Sequence, residues 1–132
     1  MASKIVEKEL SYAIMQAAFA VHNQLGPGFL ESLYERALVI ELRSNGYQVE
    51  QQKEVIVKYK DQIIGKHVLD LLINKRVILE LKAVKEIDPI HKQQALSYLK
   101  ATGLELALVI NFGARRVQSH RVVNTKPTKK FA

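Results

Sequence analysis

The stretch VLDLLINKRVILELKAV, from Val68 to Val84, constrains the fold more than any other part of the chain. Its apolar runs are typical of two strands buried at the centre of a sheet. Asp70, Glu80 and Lys82 nevertheless lie inside these runs. Charged side chains are almost never fully buried unless they are paired or bound to a metal, because desolvating an isolated charge costs more than packing returns. The stretch therefore predicts a polar site within the central sheet.

Length and composition restrict the class of protein. The 132 residues are typical of one domain with one core. The absence of cysteine excludes disulfides, thiolate nucleophiles and cysteine-based metal sites. The formal charge of +7, with a pI of about 9.7, favours an anionic partner, nucleic acid first and an acidic membrane surface second. We expect a single domain over residues 1–124 and a basic, disordered tail over residues 125–132, TKPTKKFA.

The longest early apolar run, from Ala17 to Val21, is far shorter than the roughly 20 residues that a membrane-spanning helix needs. The mixed charges before it do not resemble a targeting segment. We therefore expect a soluble, cytoplasmic protein without a membrane span.

Hydrophobic periodicity predicts the element order ααβββαββ. Apolar residues recur at three- and four-residue steps in the predicted helices, over residues 5–25, about 30–44 and 89–102. Strand patterns cover residues 47–50 with 53–59, 63–73, 77–83, 106–112 and 116–123. The strands over 63–73 and 77–83 are apolar on both faces, which predicts central positions. The order favours a mixed α/β (α+β) fold over a doubly wound one.

Strand geometry relates the charged residues to one another. Glu80 and Lys82 share a face, because side chains two residues apart point the same way. A three-residue loop, Asn74–Arg76, would put Asp70 opposite Glu80, whereas a two-residue loop would put them on opposite faces. We predict the three-residue loop. Adjacent buried carboxylates would repel each other without a cation between them, and oxygen ligands suit Mg²⁺ or Mn²⁺.

The spacing alone also fits a second interpretation, in which Glu80 and Lys82 form a structural ion pair and Asp70 caps a strand end near water. The third helix favours the metal site. Its residues His91, Gln94 and Tyr98 lie within about 60° of one another on one side of the helix. Because this helix follows the acidic strand, the polar stripe is expected to face the same cleft.

Four segments, GPGFLESLYERAL, LELKAV, HKQQALSYL and ALVINFG, resemble those of a known family in kind and order. This is the GxxExxY family, a branch of the PD-(D/E)XK nuclease superfamily, and Gly28, Glu31 and Tyr34 match the motif that names it. The resemblance covers residues 13–123. It implies a restriction-endonuclease-like core, a mixed central sheet flanked by helices. Leu69 replaces the proline of the superfamily motif, a change that many branches tolerate.

The resemblance also implies roles for individual residues. Asp70 resembles the superfamily's first metal-binding aspartate. Glu80 and Lys82 resemble the acidic residue and the lysine of the (D/E)XK motif. The backbone carbonyl of Leu81 would be a further metal ligand, and Glu31 resembles the extra acid that members often aim at the metal.

Four more residues are candidates for supporting roles. Gln94 and Tyr98 match the QxxxY element of the following helix, which contacts phosphate or steadies the lysine in the family. Tyr34 is expected to pack behind the acid of the early helix. His91 is a weaker candidate, because a histidine near a helix start is more often a surface or capping residue. His22, just before the Gly-Pro-Gly turn, is expected to be structural.

We therefore expect a hydrolase, a Mg²⁺- or Mn²⁺-dependent nuclease that cleaves phosphodiester bonds of DNA or RNA. The cation held by Asp70 and Glu80 would polarise the phosphate and lower the pKa of a water, and Lys82 would stabilise the developing charge or position that water. The resemblance also allows a homodimer.

Two other functions remain open. A catalytically silent module that binds nucleic acid or protein would keep the nuclease fold. The basic charge supports it, while no helix-turn-helix or zinc finger is visible. An enzyme that handles small nucleotides is disfavoured, because the sequence has neither a P-loop nor a GxGxxG motif.

Overall fold

The structure is a computed structural model that describes residues 5–125. The predicted disordered tail lies outside these residues, apart from Thr125. Three helices and five strands follow one another in the predicted order ααβββαββ, which confirms the fold class. They are α1 (Lys8–Leu25), α2 (Glu31–Ser44), β1 (Val49–Tyr59), β2 (Gln62–Ile73), β3 (Val77–Lys82), α3 (Pro89–Thr102), β4 (Leu106–Asn111) and β5 (Gln118–Val123).

The strands form one mixed sheet in the order β1-β2-β3-β4-β5. Strands β3 and β4 are parallel, and the other neighbouring pairs are antiparallel. A parallel pair needs a crossover connection, which α3 supplies. One hydrophobic cluster packs α1 and α2 against the sheet, and a second packs α3 against it. The central strands are therefore covered on both faces.

Helix α3 is fixed at both ends by local sequence signals. The side chain of Asp88 accepts a hydrogen bond from the N–H of Ile90 at 2.9 Å, and Pro89 occupies the first turn. Gly103 ends the helix with a φ of 76°, a left-handed conformation that glycine adopts without strain. Its N–H donates to the carbonyl of Leu99 at 2.8 Å. The helix that follows β3 thus has defined limits.

The central position predicted for the second strand holds only for the inner end of that strand. Residues 62–66 are exposed, and β3 pairs with β2 only from Leu71 to Ile73. The outer part of β2 therefore has β1 as its strand neighbour, and the two form a protruding hairpin. We call residues 53–68 the β1–β2 arm. Its apolar run resembles that of a core strand because the sequence pattern does not reveal whether a third strand lies alongside.

Side chains on β1 and β2 change face where the strands pass Gln52 and Asp70. Leu71 packs on the side of α1 and α2, whereas Leu69 packs on the side of α3. Residues two apart share a face in a regular strand, so the alternation is interrupted between them. Gln52 has a φ of 50°, and the register of its neighbours places it opposite Asp70. This interruption lies at the acidic residue of β2.

Within residues 5–125, none of the helices is both long and apolar enough to span a bilayer. The cytoplasmic location stays a prediction.

Candidate active site

The hairpin between β2 and β3 brings Asp70 and Glu80 side by side. Ile73 pairs with Val77 across a turn at Asn74–Arg76, so the predicted three-residue loop is confirmed. The same register places Asp70 opposite Glu80. The two carboxylates therefore belong to neighbouring strands at the end of their paired segment.

Each carboxylate accepts a hydrogen bond from the strand that carries the other one. The N–H of Asp70 donates to Glu80 Oε2 at 3.0 Å. The N–H of Leu81 donates to Asp70 Oδ2 at 2.8 Å. These side-chain bonds continue the contact between β2 and β3 beyond the ladder and orient both carboxylates.

Burial raises the pKa of both carboxyl groups. Glu80 is only 4% exposed, and its pKa is raised from 4.5 to about 8, first by desolvation and then by the charge of Asp70. Desolvation also raises the pKa of Asp70, against the hydrogen bond from Leu81, which lowers it. Two adjacent buried carboxylates are costly to ionise together, so the site favours the approach of positive charge.

Lys82 and Glu31 complete the charged group. The ammonium of Lys82 lowers the pKa of Asp70 and of Glu80, so it lies close to both carboxylates. Glu31 is the first residue of α2, and its carboxylate accepts a hydrogen bond from the N–H of Ala83. Desolvation raises the pKa of Glu31, which the charge of Lys82 lowers and that of Asp70 raises. One lysine thus faces three carboxylates.

The turn before α2 determines where Glu31 begins the helix. Gly28 has a φ of 107°, which glycine adopts without strain. The hydroxyl of Tyr34 donates to the carbonyl of Gly26 at 2.5 Å and accepts from the N–H of Phe29 at 3.2 Å. Tyr34 therefore ties the turn to the helix and supports Glu31 indirectly.

Phe112, just after β4, anchors this turn to the core. Its ring stacks on Tyr34 with centroids 4.7 Å apart and lies 6.4 Å from the ring of His22. His22 Nε2 lies 3.1 Å from the carbonyl oxygen of Ala114. These contacts give His22 a structural role.

Asn111 holds the chain immediately beyond Lys82. Its fully buried side chain accepts from the N–H of Val84 at 2.9 Å and donates to the carbonyl of the same residue at 2.9 Å. The backbone of Val84 also leaves no room for a Cβ at Gly113. The end of β3 is therefore fixed in place next to the lysine.

Tyr98 is the residue of α3 that the structure brings near the acidic pair. It is buried, and its pKa is raised to about 12, first by desolvation and then by the charges of Glu80 and Asp70. Its ring centroid lies 4.4 Å from that of His67 on β2. The hydroxyl therefore stays protonated at neutral pH and can donate a hydrogen bond.

The other two residues of the predicted stripe have different surroundings. His91 Nδ1 accepts a hydrogen bond from the N–H of Asp88 at 3.1 Å, so this histidine forms part of the helix cap. Gln94 is exposed, and its side chain makes no hydrogen bond within residues 5–125. The helix packs through Ala95 and Leu99, which turns Gln94 toward solvent.

Glu35 and Gln52 are not among the candidates that the sequence predicts. The charge of Glu35 raises the pKa of Asp70, and a hydrogen bond from Gln52 lowers it. Gln52 Nε2 also donates to Glu35 Oε1 at 3.0 Å. The four-residue spacing from Glu31 to Glu35 places both on one side of α2 and was a usable signal. Nothing in the sequence marks Gln52, since its position depends on backbone conformation and strand register.

The oxygen donors of the site suit a divalent cation. Carboxylates and a backbone carbonyl are the ligands that Mg²⁺ and Mn²⁺ prefer. The raised pKa values of Asp70 and Glu80 indicate that the pair lacks sufficient positive charge. Among the residues that the structure describes, no three His, Asp or Glu side chains are spaced to hold a metal ion. A cation at the pair would therefore need other ligands, such as the carbonyl of Leu81 or water.

The fold is that of a nuclease-type domain. The chain belongs to the PD-(D/E)XK nuclease superfamily, whose family model matches residues 8–122. Nucleases of this superfamily act on nucleic acids and generally use divalent metal ions.

The chain is also similar to the crystal structure of SSO0001, with a TM-score of 0.58 and 17% sequence identity. The similarity covers 93% of this chain and 64% of the SSO0001 chain, so this chain spans less than two thirds of that length. At this identity the similarity shows the fold alone. No curated protein matches the chain.

Proposed function

We propose that the protein is a metal-dependent nuclease that hydrolyses phosphodiester bonds of DNA or RNA. The observation that carries this proposal is the carboxylate pair of the half-buried Asp70 and the buried Glu80, with Lys82 beside it. Membership of the superfamily supports the reaction class. We also assign the chain to the GxxExxY branch, because Gly28 and Tyr34 shape the turn that positions Glu31. A homodimer stays a prediction.

The residues have distinct tasks in the proposed reaction. Asp70, Glu80 and the carbonyl of Leu81 would hold Mg²⁺ or Mn²⁺. The bound ion supplies a Lewis acid for the phosphate and lowers the pKa of a water. Lys82 would hold the attacking water or stabilise the negative charge that develops on the phosphate. Glu31 would orient a water from the side of α2.

Tyr98 would act as a hydrogen-bond donor. Its hydroxyl is neutral at neutral pH, as it is in tyrosines generally, so it adds no negative charge to an already acidic site. Its contact with His67 holds the ring in one place. It therefore supports the position of the carboxylates or of a phosphate oxygen.

Cleavage assays with matched variants test the proposal. The purified protein is incubated with Mg²⁺ or Mn²⁺ and a panel of single-stranded, duplex and branched DNA and RNA. Asp70→Asn and Glu80→Gln should each reduce cleavage by at least about 100-fold, because each removes a charged ligand of the cation that stabilises the transition state. Glu105→Gln, an exposed site outside the acidic group, is the matched control. Cleavage that persists in both site variants would contradict the assignment.

A second candidate function is a silent binding module with the nuclease fold. It is favoured by the absence of a preformed group of three metal-binding side chains within residues 5–125. This function predicts nucleic-acid binding without cleavage under either metal. It also predicts that Lys82→Ala changes no reaction product. The same substrate panel separates the two functions.

A further inference from the structure

A groove of about 1010 Å³ lies between the β1–β2 arm and α3. The arm contributes residues from both of its strands, and α3 contributes Ser97, Lys100 and Ala101. The groove is open because β3 pairs with only the inner part of β2, so the arm and the helix face each other without a strand between them. None of the proposed metal ligands lines it.

Lysines dominate the charge of this groove. Its charged lining residues are Lys53, Lys58, Lys60, Lys100, Glu54 and Asp61. Glu54 is engaged by Lys66 at 2.7 Å, so its charge is already neutralised. Within the described residues, Lys58, Lys60 and Lys100 form no ion pair. The groove therefore suits a ligand with several negative charges.

Apolar side chains lie between the lysines. Val55, Val57 and Ile63 also line the groove, and Ile63 is 66% exposed. Single-stranded nucleic acid matches such a surface, because it offers phosphates to the lysines and base faces to the ring of His67, with the aliphatic side chains packed beside the bases. An inorganic anion would leave the apolar part unused.

His67 connects the groove to the acidic pair. It lines the groove, and its ring contacts that of Tyr98 at 4.4 Å. Besides desolvation, the charges of Glu80 and Asp70 raise the pKa of the Tyr98 hydroxyl, so this hydroxyl lies near both carboxylates. The groove and the candidate active site thus share the wall formed by these two rings.

The size of the groove restricts the ligand further. Its volume is at the upper end of small-ligand pockets, roughly 300–1000 Å³. Such a space holds a short stretch of one strand and not a duplex. We infer that this groove binds single-stranded nucleic acid, with phosphates on Lys58, Lys60 and Lys100, and leads the strand toward Asp70 and Glu80. The inference rests on the proposed nuclease function for the direction of the strand.

Binding in the presence of EDTA tests the groove without requiring cleavage. Fluorescence anisotropy compares a labelled single-stranded DNA, the matching RNA and the duplex form of the same DNA. The test variant is Lys58→Glu with Lys100→Glu. The control is Lys8→Glu with Lys75→Glu, which changes the net charge equally at exposed positions outside the groove. Thermal unfolding checks that both variants are folded.

We expect wild type to prefer single strands, and the groove variant to lose at least about tenfold more affinity for them than the control. The slope of log affinity against log salt should fall by about 0.7 for each phosphate contact removed. Equal affinities of the groove variant and the control would overturn the inference, and so would absence of binding by wild type. Equal losses for duplex and single strand would overturn the assignment to single strands.

The outcome for the groove can be separated from that for the nuclease. Groove-dependent binding without cleavage under Mg²⁺ or Mn²⁺ would support the groove and contradict the nuclease function. Cleavage together with binding that does not depend on the groove lysines would support the nuclease function and contradict the groove.

Discussion

The two ends of β2 both depart from ordinary packing, in which charged side chains are exposed and apolar side chains are buried. At the inner end, Asp70 is half-buried, and its neighbour across the hairpin, Glu80, is 4% exposed. At the outer end, Ile63 and Ile64 are each 66% exposed. Buried charge and exposed apolar surface are the informative departures from ordinary packing. The first indicates a cation site and the second a surface for a ligand, so one strand carries two parts of the proposed function.

The difference arises from the neighbours of the strand. The inner end lies between β1 and β3 and is covered by helices on both faces. Within residues 5–125, the outer end pairs with β1 and with no second strand, and it forms the arm. The apolar residues of β2 therefore lie in the core at the inner end of the strand and on the surface at its outer end.

Truncating one residue at each end of β2 should give the largest contrast in stability. Leu71 is fully buried, so Leu71→Ala should reduce the free energy of unfolding by about 2–5 kcal/mol, through lost burial and a cavity. Ile63→Ala should change it by less than about 0.5 kcal/mol, because the side chain is exposed. Urea unfolding at constant pH measures both. Similar losses at the two positions would mean that the arm is part of the core.

The pH dependence of the stability of the metal-free protein should show the cost of ionising the carboxyl groups at the inner end of β2. A carboxyl pKa that is higher in the folded state adds stability below the unfolded value of 4.5, and this contribution is lost as the pH rises through about 8. The pKa values of His67 and His120 are lowered from 6.5, so these two histidines affect stability mainly at pH values below 6.5. Above that pH, unfolding in EDTA should therefore report the carboxyl groups of the site whose pKa is raised, Glu80 together with Asp70 and Glu31.

Between pH 6.5 and about 8.5, we expect the metal-free protein to lose about 2 kcal/mol of stability. A glutamine at position 80 cannot ionise, so the Glu80→Gln variant should lose most of the pH dependence of stability. Glu105→Gln, which leaves the pair intact, should retain it. A flat profile for wild type would show that Glu80 is ionised at little cost. Unfolding by urea at several pH values provides the measurement.

The smallest effect is expected for a variant of His91, which tests whether this residue only caps α3 or also takes part in cleavage. His91→Ala removes the acceptor for the N–H of Asp88 and should cost about 0.5–1 kcal/mol of stability. Cleavage by the folded variant should stay within about twofold of wild type, because the ring serves the cap. A large loss of cleavage by the folded variant would show that His91 also contacts the substrate. Urea unfolding and single-turnover cleavage measure the two quantities.

Local patterns predicted the elements and the acidic hairpin well. The length of the loop between β2 and β3 determines the register of Asp70 and Glu80, and the loop and both residues lie within one stretch of sequence. The arm was not predicted, because its exposure depends on where β3 stops pairing with β2. The roles of Gln52 and Glu35 were not predicted either, since they depend on one left-handed residue and on the packing of α2 beside β1.

We propose that Asp70 and Glu80 together bind a divalent cation. Isothermal titration calorimetry with Mn²⁺ tests it most directly, with wild type, Asp70→Asn, Glu80→Gln and the control Glu105→Gln at one pH. We expect one site in wild type and in the control, and at least a tenfold weaker site in either pair variant, because each carboxylate is a ligand. Equal Mn²⁺ affinity in all four proteins, or no binding by wild type, would contradict it.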